Sequence, residues 1–264
     1  MKILRFAINR KIKYGVLEGD RVRVMLGTPY SYFRKPGSSF RLTESTYKVP
    51  EVRLLAPCLP SKMVALGLNY RSHAEETKLQ IPSVPLIFLK PSTAVIGPED
   101  KIVYPEVSRR VDYEGELAVV IGRRARAVDR SKAKEYILGY TCFNDVSARY
   151  EQRDDGQWTR AKSYDTFAPL GPYIETEISP DDLKLETYLN GELRQSARTS
   201  DLIFPVDVLV SFISSIMTLL PGDVIATGTP SGIGPMKPGD VVEVKIENIG
   251  MLRNYVVAQS SRIK

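Results

Sequence analysis

The alternation of apolar and polar residues predicts a chain built mainly from short β-strands. Within residues 1–57, the stretches KILRFAI, KYGVLEG and RVRVML are strand-like, and Glu18-Gly19-Asp20 is a hairpin turn signal. After Pro57 and Pro60 the apolar stretches become longer: MVALGL, PLIFLKP, ELAVVIG, GYTCFND, LKLETYLN, DVIATG and DVVEVKIE. We therefore predict an α+β, β-rich fold with a small β-rich N-terminal domain at 1–57 and a main domain at 58–264.

Only two segments show a helical pattern. Asp129 and Ser131 can cap a short helix through KAKEYI. A longer amphipathic helix is predicted to begin at Pro205 and to end before Pro221, since its apolar residues recur at i, i+3, i+4 and i+7. These residues are Val206, Leu209, Val210, Ile213, Ile216, Met217 and Leu220. Because strands and helices do not alternate regularly, we do not expect a doubly wound parallel sheet.

The composition is that of a globular protein rather than a disordered or fibrous one. The 264 residues are 43% hydrophobic and 26% charged, and the N-terminal MKILRFAINRKIKYG lacks the apolar core of a signal peptide. The apolar segment 202–220 carries Asp207 and several hydroxyl side chains, which argues against a membrane span. We therefore expect a cytoplasmic protein without a membrane partner.

The residue counts also limit the kinds of metal site. The chain has two cysteines and one histidine, which excludes a disulfide framework and any site that needs two imidazoles. A bound metal would therefore have mainly oxygen ligands, which suit Mg²⁺, Mn²⁺ or Ca²⁺. The net charge of +6 favours anionic small molecules but is only a weak indication of nucleic-acid binding.

Three acidic residues are candidates for such ligands. In VDYEGELAVVI (111–121), Glu114 and Glu116 are two positions apart on a predicted strand, so their side chains share a face about 6.5–7 Å apart. Asp145 ends the next apolar stretch, GYTCFND. Together they would half-fill the octahedral coordination of Mg²⁺ or Mn²⁺. The alternatives are a solvent-exposed acidic edge strand and a helix-capping role for Asp145.

Other candidate groups lie elsewhere in the chain. His73 and Glu76 would meet on one helical turn and form a water-activating pair, or would simply be exposed. Lys162, in WTRAKSYDTFAPLGP, is either partly buried and directed at an anion or an ordinary surface lysine. The loop GTPSGIG (228–234) lacks the ending of a phosphate loop, but its N–H groups and Thr229 could hold a carboxylate.

Taken in order, the motifs of this chain resemble those of the fumarylacetoacetate hydrolase family. They are GLNYRSHAEE, PLIFLKPSTAVIG, VDYEGELAVVIG, GYTCFNDVSARYEQ, WTRAKSYDTFAPLGP, NGELRQ, TSDLIF and LLPGDVIATGTPSGIGP. The resemblance extends from about residue 60 to the end, and residues 1–57 resemble the small N-terminal domain of some prokaryotic members. It implies a mixed β-sheet or β-roll catalytic domain with few helices, and usually a homodimer.

The resemblance also implies roles for individual positions. It implies a divalent metal, Mg²⁺ or Mn²⁺ with Ca²⁺ as an alternative, held by Glu114, Glu116 and Asp145. It implies catalytic roles for His73, Glu76, Gln152 and Lys162, with the first two on a segment that orders over the substrate as a lid. It implies substrate-binding roles for Tyr70, Arg149 and Thr229.

From these roles we expect a metal-dependent hydrolase that cleaves C–C bonds in acylpyruvates or other β-diketo acids. The metal would chelate the 2-oxo group and its carboxylate and would lower the energy of the enolate left after cleavage. His73, oriented by Glu76, would activate water, and Lys162 with Gln152 would stabilise the oxyanion. Arg149 and Thr229 would position a substrate carboxylate.

Two other functions stay open at this point. The same electron sink serves isomerisation and decarboxylation, so an isomerase or decarboxylase of 2-oxo or 2-hydroxydienoate dicarboxylates in aromatic catabolism is one alternative (the 2-hydroxyhepta-2,4-diene-1,7-dioate isomerase type). A basic nucleic-acid-binding protein is the other. We do not expect nucleic acid as the partner, because the acidic residues would repel phosphate. We expect a small 2-oxo acid substrate.

Overall fold

Strands far outnumber helices in the computed structural model, which describes residues 1–33 and 40–259. The first ten strands are β1 (Lys2–Ile8), β2 (Lys11–Glu18), β3 (Arg21–Met25), β4 (Leu42–Lys48), β5 (Arg53–Leu55), β6 (Met63–Gly67), β7 (Leu86–Lys90), β8 (Val95–Ile96), β9 (Lys101–Tyr104) and β10 (Val111–Tyr113). The remaining strands are β11 (Gly115–Ile121), β12 (Ile137–Asn144), β13 (Ser147–Ala148), β14 (Ala168–Glu175), β15 (Lys184–Leu189), β16 (Glu192–Arg198), β17 (Val224–Ala226), β18 (Gly234–Met236), β19 (Val241–Ile246) and β20 (Gly250–Ala258). The α-helices are α1 (Pro29–Phe33), α2 (Arg71–Thr77), α3 (Arg149–Asp154), α4 (Thr159–Lys162) and α5 (Val206–Ile216). The predicted β-rich α+β class is confirmed.

The strands form one large sheet and two smaller ones. The large sheet has the order β4-β3-β2-β1-β14-β12-β11-β17-β6-β7, with β5 beside β1 and β8 beside β14. The second sheet has the order β16-β15-β19-β20-β9, and the third is β13-β10-β18. Because Lys2 of β1 lies opposite Glu175 of β14, the N-terminal strands extend the large sheet.

The strand β11 runs through the centre of the core and is buried on both faces. Leu117, Val119 and Ile121 belong to one apolar cluster, whereas Ala118 and Val120 belong to the cluster on the other side of the sheet. A strand covered on both faces reads as a continuous apolar run in the sequence, as ELAVVIG does. This packing gives the acidic residues at the start of β11 a rigid support.

The helix α5 packs onto the large sheet. Its buried residues include Leu209, Val210 and Ile213, which join the same apolar cluster as β11. The helix ends at Ile216, earlier than predicted, because the chain turns into an extended segment in which Leu219 forms a β-bridge with Ala125. Among the described residues, no helix has both the length and the apolar character needed to cross a membrane.

The segment KAKEYI forms a short helix of the 3-10 type rather than an α-helix. It spans Arg130–Tyr136, and the side chain of Asp129 accepts a hydrogen bond from the Ser131 backbone N–H at 2.8 Å. The predicted cap is therefore present, although the helix it begins is tighter than expected.

Candidate active site

Three buried carboxylates lie together where neighbouring strands begin and end. Glu114 precedes β11, Glu116 is within β11, and Asp145 directly follows β12. One oxygen of each lies within 4.8 Å of the others, and all three side chains are buried. This excludes the solvent-exposed edge strand considered above, and Asp145 does not cap α3, whose N-cap residue is Ala148.

The chain changes sheets between β10 and β11, which brings these carboxylates together. We predicted one continuous strand over 111–121, but β10 pairs with β13 and β18, while β11 pairs with β12 and β17. At the break, the Glu114 N–H donates to Asn144 Oδ1 at 2.9 Å. The Asp145 N–H donates to the Glu114 carbonyl at 2.8 Å. These two contacts hold Glu114 beside Asp145.

Two buried lysines bind the carboxylates from different sides. Lys162 Nζ donates to Glu114 Oε2 at 2.8 Å and to Asp145 Oδ2 at 2.5 Å. Lys90 Nζ donates to Asp145 Oδ1 at 2.5 Å and to the Val146 carbonyl at 3.2 Å. Both lysine side chains are at most 2% exposed. Lys162 is therefore a buried, anion-binding lysine rather than a surface one.

Arg149 completes the positive charge around the site. Its Nε donates to Asp112 Oδ2 at 2.8 Å, its Nη1 donates to Gln152 Oε1 at 2.7 Å, and its Nη2 donates to Glu114 Oε1. Burial alone would raise the pKa of Glu114, but the charges of Arg149 and Lys162 outweigh it and hold that pKa well below its ordinary value. Glu114 is therefore ionised.

Glu116 is the carboxylate without a cation against it. Its Oε2 accepts a hydrogen bond from the Gly228 N–H at 2.8 Å, and Gly228 has a φ of +98°, which favours glycine there. Its Oε1 is buried and has no hydrogen-bond partner among the described residues. Burial, reinforced by the charges of Asp145 and Glu114, raises the pKa of Glu116 well above its ordinary value.

These donors fit a divalent cation. An unpartnered buried oxygen typically destabilises a protein by about 1–3 kcal/mol, and Glu116 Oε1 is the carboxylate oxygen among the unpartnered buried oxygens of the described residues. A hard cation between the three carboxylates would satisfy the Glu116 oxygen and relieve the repulsion that raises its pKa. The buried acidic triad can therefore hold a metal.

His73 and Glu76 meet on α2, as their spacing predicted. His73 Nδ1 lies 3.1 Å from Glu76 Oε2, and Glu76 Oε1 accepts a hydrogen bond from the Gly232 N–H at 3.0 Å. The second contact ties α2 to the loop that follows β17. With Glu76 on Nδ1, Nε2 is the nitrogen left to accept a proton.

A cavity of about 380 Å³ connects most of the predicted site residues. The predicted residues that line it are His73, Glu114, Arg149, Gln152, Lys162 and Thr229. Glu116, Asp145 and Glu76 are not part of the lining. Tyr70 is fully buried and is not part of the lining. The structure thus brings His73, the general-base candidate, and Glu114 of the carboxylate cluster to one cavity.

The hydroxyl of Thr229 already has partners. Its Oγ1 donates to the Gly115 carbonyl at 3.0 Å, and it accepts from Gln195 Nε2 at 2.8 Å. Donation to a substrate carboxylate would require replacement of the Gly115 contact. The substrate-binding role of Thr229 therefore stays a prediction.

Sequence reasoning missed two buried residues of this site, Lys90 and Gln195. Lys90 gave a signal, because it is a charged residue at the end of the apolar strand LIFLK, directly before Pro91. Gln195 ends the motif NGELRQ, but the motif gave no role for this residue, and its burial depends on contacts with the distant residues Gly115, Thr229 and Pro230.

The family can now be assigned. Residues 62–257 match the family described as "Fumarylacetoacetate (FAA) hydrolase C-terminal". The chain belongs to the fumarylacetoacetate hydrolase family. Residues 1–57 match the domain described as "Rv2993c-like, N-terminal". The resemblance drawn from the motifs is confirmed.

Proteins from a bacterium and a mammal are similar to this chain over most of its length. Protein Rv2993c of Mycobacterium tuberculosis is 46% identical over 260 residues, which cover 97% of this chain and 98% of that protein. Oxaloacetate tautomerase FAHD2B, mitochondrial, of Bos taurus is 42% identical over 220 residues, which cover 78% of this chain and 70% of that protein.

Solved structures share the whole fold. The 5-carboxymethyl-2-hydroxymuconate delta-isomerase from Mycobacterium smegmatis superimposes with a TM-score of 0.91 at 45% identity, covering 98% of this chain and 100% of that one. Maleylpyruvate hydrolase from Sphingobium sp. SYK-6, in complex with manganese(II) ion and pyruvate, superimposes with a TM-score of 0.82 at 32% identity, with the same coverage. This fumarylacetoacetate hydrolase family member is thus similar to enzymes that catalyse different reactions.

Proposed function

We propose that this family member is a divalent-metal-dependent hydrolase that cleaves a C–C bond in acylpyruvate-like substrates. One observation carries the proposal: His73, paired with Glu76, lines the same cavity as Glu114 of the buried carboxylate cluster. A proton acceptor and a cation-binding centre therefore face one small-molecule space, which is what water-dependent cleavage of a 2-oxo acid requires.

Glu114, Glu116 and Asp145 would hold Mg²⁺ or Mn²⁺. The bound ion supplies Lewis-acid stabilisation for the negative charge that develops on the 2-oxo group during cleavage. The manganese(II) and pyruvate in the maleylpyruvate hydrolase structure support this part of the proposal. The buried lysines keep the carboxylates in place and limit the net charge of the site.

The His73–Glu76 pair would carry out the proton transfers. Glu76 on Nδ1 leaves Nε2 to take a proton from a water molecule, and the resulting hydroxide attacks the distal carbonyl carbon. Lys162 and Gln152 line the cavity and would stabilise the oxyanion. When the C–C bond breaks, its electron pair stays on the pyruvate-side carbon, and that carbon takes up the proton that His73 accepted from water. The products are pyruvate and a carboxylic acid.

A second candidate is isomerisation or enol–keto tautomerisation, which is also compatible with the comparisons. The similar proteins include an isomerase and a tautomerase, at 45% and 42% identity, as well as the maleylpyruvate hydrolase at 32%. The same His73 could move a proton between carbon and oxygen without using water. Decarboxylation stays a further prediction for the same site.

A substrate panel separates these reactions. Acylpyruvates, oxaloacetate and 2-hydroxydienoate dicarboxylates would be incubated with the protein and Mg²⁺, Mn²⁺ or a chelator, and the products analysed by NMR. We expect equal amounts of pyruvate and acid from acylpyruvates, and no turnover with chelator. Solvent deuterium incorporation into a product with an uncleaved carbon skeleton would favour the second candidate, and turnover that survives chelation would contradict the metal-dependent proposal.

A further inference from the structure

One side of the cavity is an aromatic wall formed by Phe88 and Trp158. Their ring centroids are 5.1 Å apart with an interplanar angle of 75°, an edge-to-face contact. The indole lies directly on the backbone of Gly67, where a Cβ atom would be only 2.6 Å from the ring. Glycine at position 67 therefore lets Trp158 pack against the end of β6, and the wall has a defined position.

The aromatic wall begins beside Lys162, at the end of the cavity where the buried carboxylates lie. Lys162 Nζ lies 5.1 Å from the centroid of the Phe88 ring, while it is hydrogen-bonded to Glu114 and Asp145. If the 2-oxo acid end of a substrate binds at a metal ion held by these carboxylates, the distal part of the substrate would extend along the aromatic wall. The other apolar residues of the lining are Leu66, Leu68, Leu79 and Ile233.

Among the described residues, the positively charged side chains that line the cavity are poorly placed to bind a carboxylate on the distal part of a substrate. Lys162 and Arg149 are engaged by buried carboxylates of the protein. Arg153 lies at the rim with its side chain 72% exposed, its Nε is 3.0 Å from Asp154 Oδ1, and its guanidinium stacks on Tyr150. A carboxylate on the distal part of the substrate would lose water without gaining a buried partner, which is unfavourable.

We infer that the aromatic wall is a subsite for an uncharged, apolar distal substituent. This inference rests on the proposed function and narrows it to acylpyruvates with an aliphatic or aromatic acyl group, rather than substrates with a carboxylate at both ends. The cavity of about 380 Å³ is within the usual range of about 300–1,000 Å³ for small-molecule sites.

A binding experiment tests this subsite without requiring turnover. Trp158 is the only tryptophan of the chain, so its fluorescence reports directly from the aromatic wall. The protein with Mg²⁺ would be titrated with 2-oxohexanoate and with 2-oxoadipate, which have the same chain length but differ in a terminal methyl or carboxylate. We expect 2-oxohexanoate to change the emission and to bind at least about 10-fold more tightly, since apolar groups in such sites discriminate roughly 10–200-fold.

Two leucine variants serve as a matched pair. Leu79 lines the cavity and Leu193 does not, and both are more than half exposed, so neither replacement should prevent folding. Leu79→Ala should weaken binding of 2-oxohexanoate several-fold and narrow its preference over 2-oxoadipate, whereas Leu193→Ala should change neither affinity. Equal or tighter binding of 2-oxoadipate, or equal effects of the two replacements, would overturn the inference.

The titration, taken together with the substrate panel, separates this inference from the proposed function. If the apolar acid binds preferentially but no acylpyruvate releases pyruvate, the subsite stands and the hydrolase proposal fails. If pyruvate is released but the carboxylate-terminated acid is preferred, the hydrolase stands and the subsite fails. In the second case, loss of that preference in Arg153→Ala would place the distal carboxylate at the rim.

Discussion

Lys90 and Asp145 form a fully buried pair directly behind the candidate metal centre. The Nζ–Oδ1 distance is 2.5 Å, and the other oxygen of Asp145 is held by Lys162. Neither Lys90 nor Asp145 is more than 1% exposed. Asp145 is therefore fixed from two sides before any ion binds.

Replacement of Lys90 by methionine should destabilise the metal-free protein. Methionine keeps the length of the side chain but leaves Asp145 with one lysine partner in a buried environment, and breaking a buried pair typically costs about 3–5 kcal/mol. A divalent ion can replace the lost positive charge, so added Mn²⁺ should raise the melting temperature more in Lys90→Met than in the unmodified protein. Thermal unfolding with and without Mn²⁺ measures both effects.

The control is the exposed pair of Arg130 and Asp207. Their side chains are 61% and 43% exposed, and pairs of this kind contribute only about 0–1 kcal/mol. Arg130→Met should therefore leave the unfolding transition nearly unchanged. If Lys90→Met behaves like this control, the buried pair has no role in supporting the centre.

Glu116→Gln should remove metal binding without loss of the fold. Glutamine keeps the shape and can still accept from the Gly228 N–H, but it removes the charge that repels Glu114 and Asp145. We expect Mn²⁺ affinity to fall by more than the roughly 10–100-fold typical of losing an outer hydrogen-bond partner. Calorimetric titration measures this loss, and the metal-free melting temperature should stay equal or rise. Retained Mn²⁺ affinity would exclude Glu116 as a ligand.

His73→Ala should separate proton transfer from metal binding. His73 contacts Glu76, not the carboxylate cluster, so its loss should leave the Mn²⁺ dissociation constant unchanged. Turnover of an acylpyruvate should fall by about 10²–10⁴-fold, the usual contribution of a general base. Glu76→Gln should give a smaller loss, because the imidazole stays in place. An equal decrease in metal affinity and turnover would indicate that His73 is structural.

Local patterns predicted the parts of this molecule that depend on neighbouring residues in the chain. The His73–Glu76 contact follows from their spacing on one helical turn. The proximity of Glu114 and Glu116 was also expected, but from a continuous strand that the structure replaces by a break between β10 and β11. Contacts between distant segments could not be predicted in this way. The end of α5 at Ile216 depends on the bridge that Leu219 forms with another segment.

Gln195 joins the break between β10 and β11 to the loop after β17. It is 1% exposed, its Oε1 accepts from the Gly115 N–H at 2.9 Å, and its Nε2 donates to Thr229 Oγ1 at 2.8 Å and to the Pro230 carbonyl at 2.9 Å. The same loop supplies the N–H that holds Glu116. Gln195 is thus a positioning residue for two walls of the cavity.

Gln195→Ala should lower both stability and catalytic efficiency. It leaves the Gly115 N–H and the Pro230 carbonyl without this partner, and each such buried group costs about 1–3 kcal/mol. Gln195→Glu keeps the acceptor for Gly115 but loses both donors, so kcat/KM should fall in this variant also. Gln157→Ala is the matched control, because Gln157 is exposed and its side chain hydrogen-bonds to the neighbouring Thr159. Urea unfolding and steady-state kinetics of the three variants measure stability and kcat/KM. If Gln195→Ala and Gln157→Ala have the same stability and the same kcat/KM, the loop after β17 is positioned without Gln195.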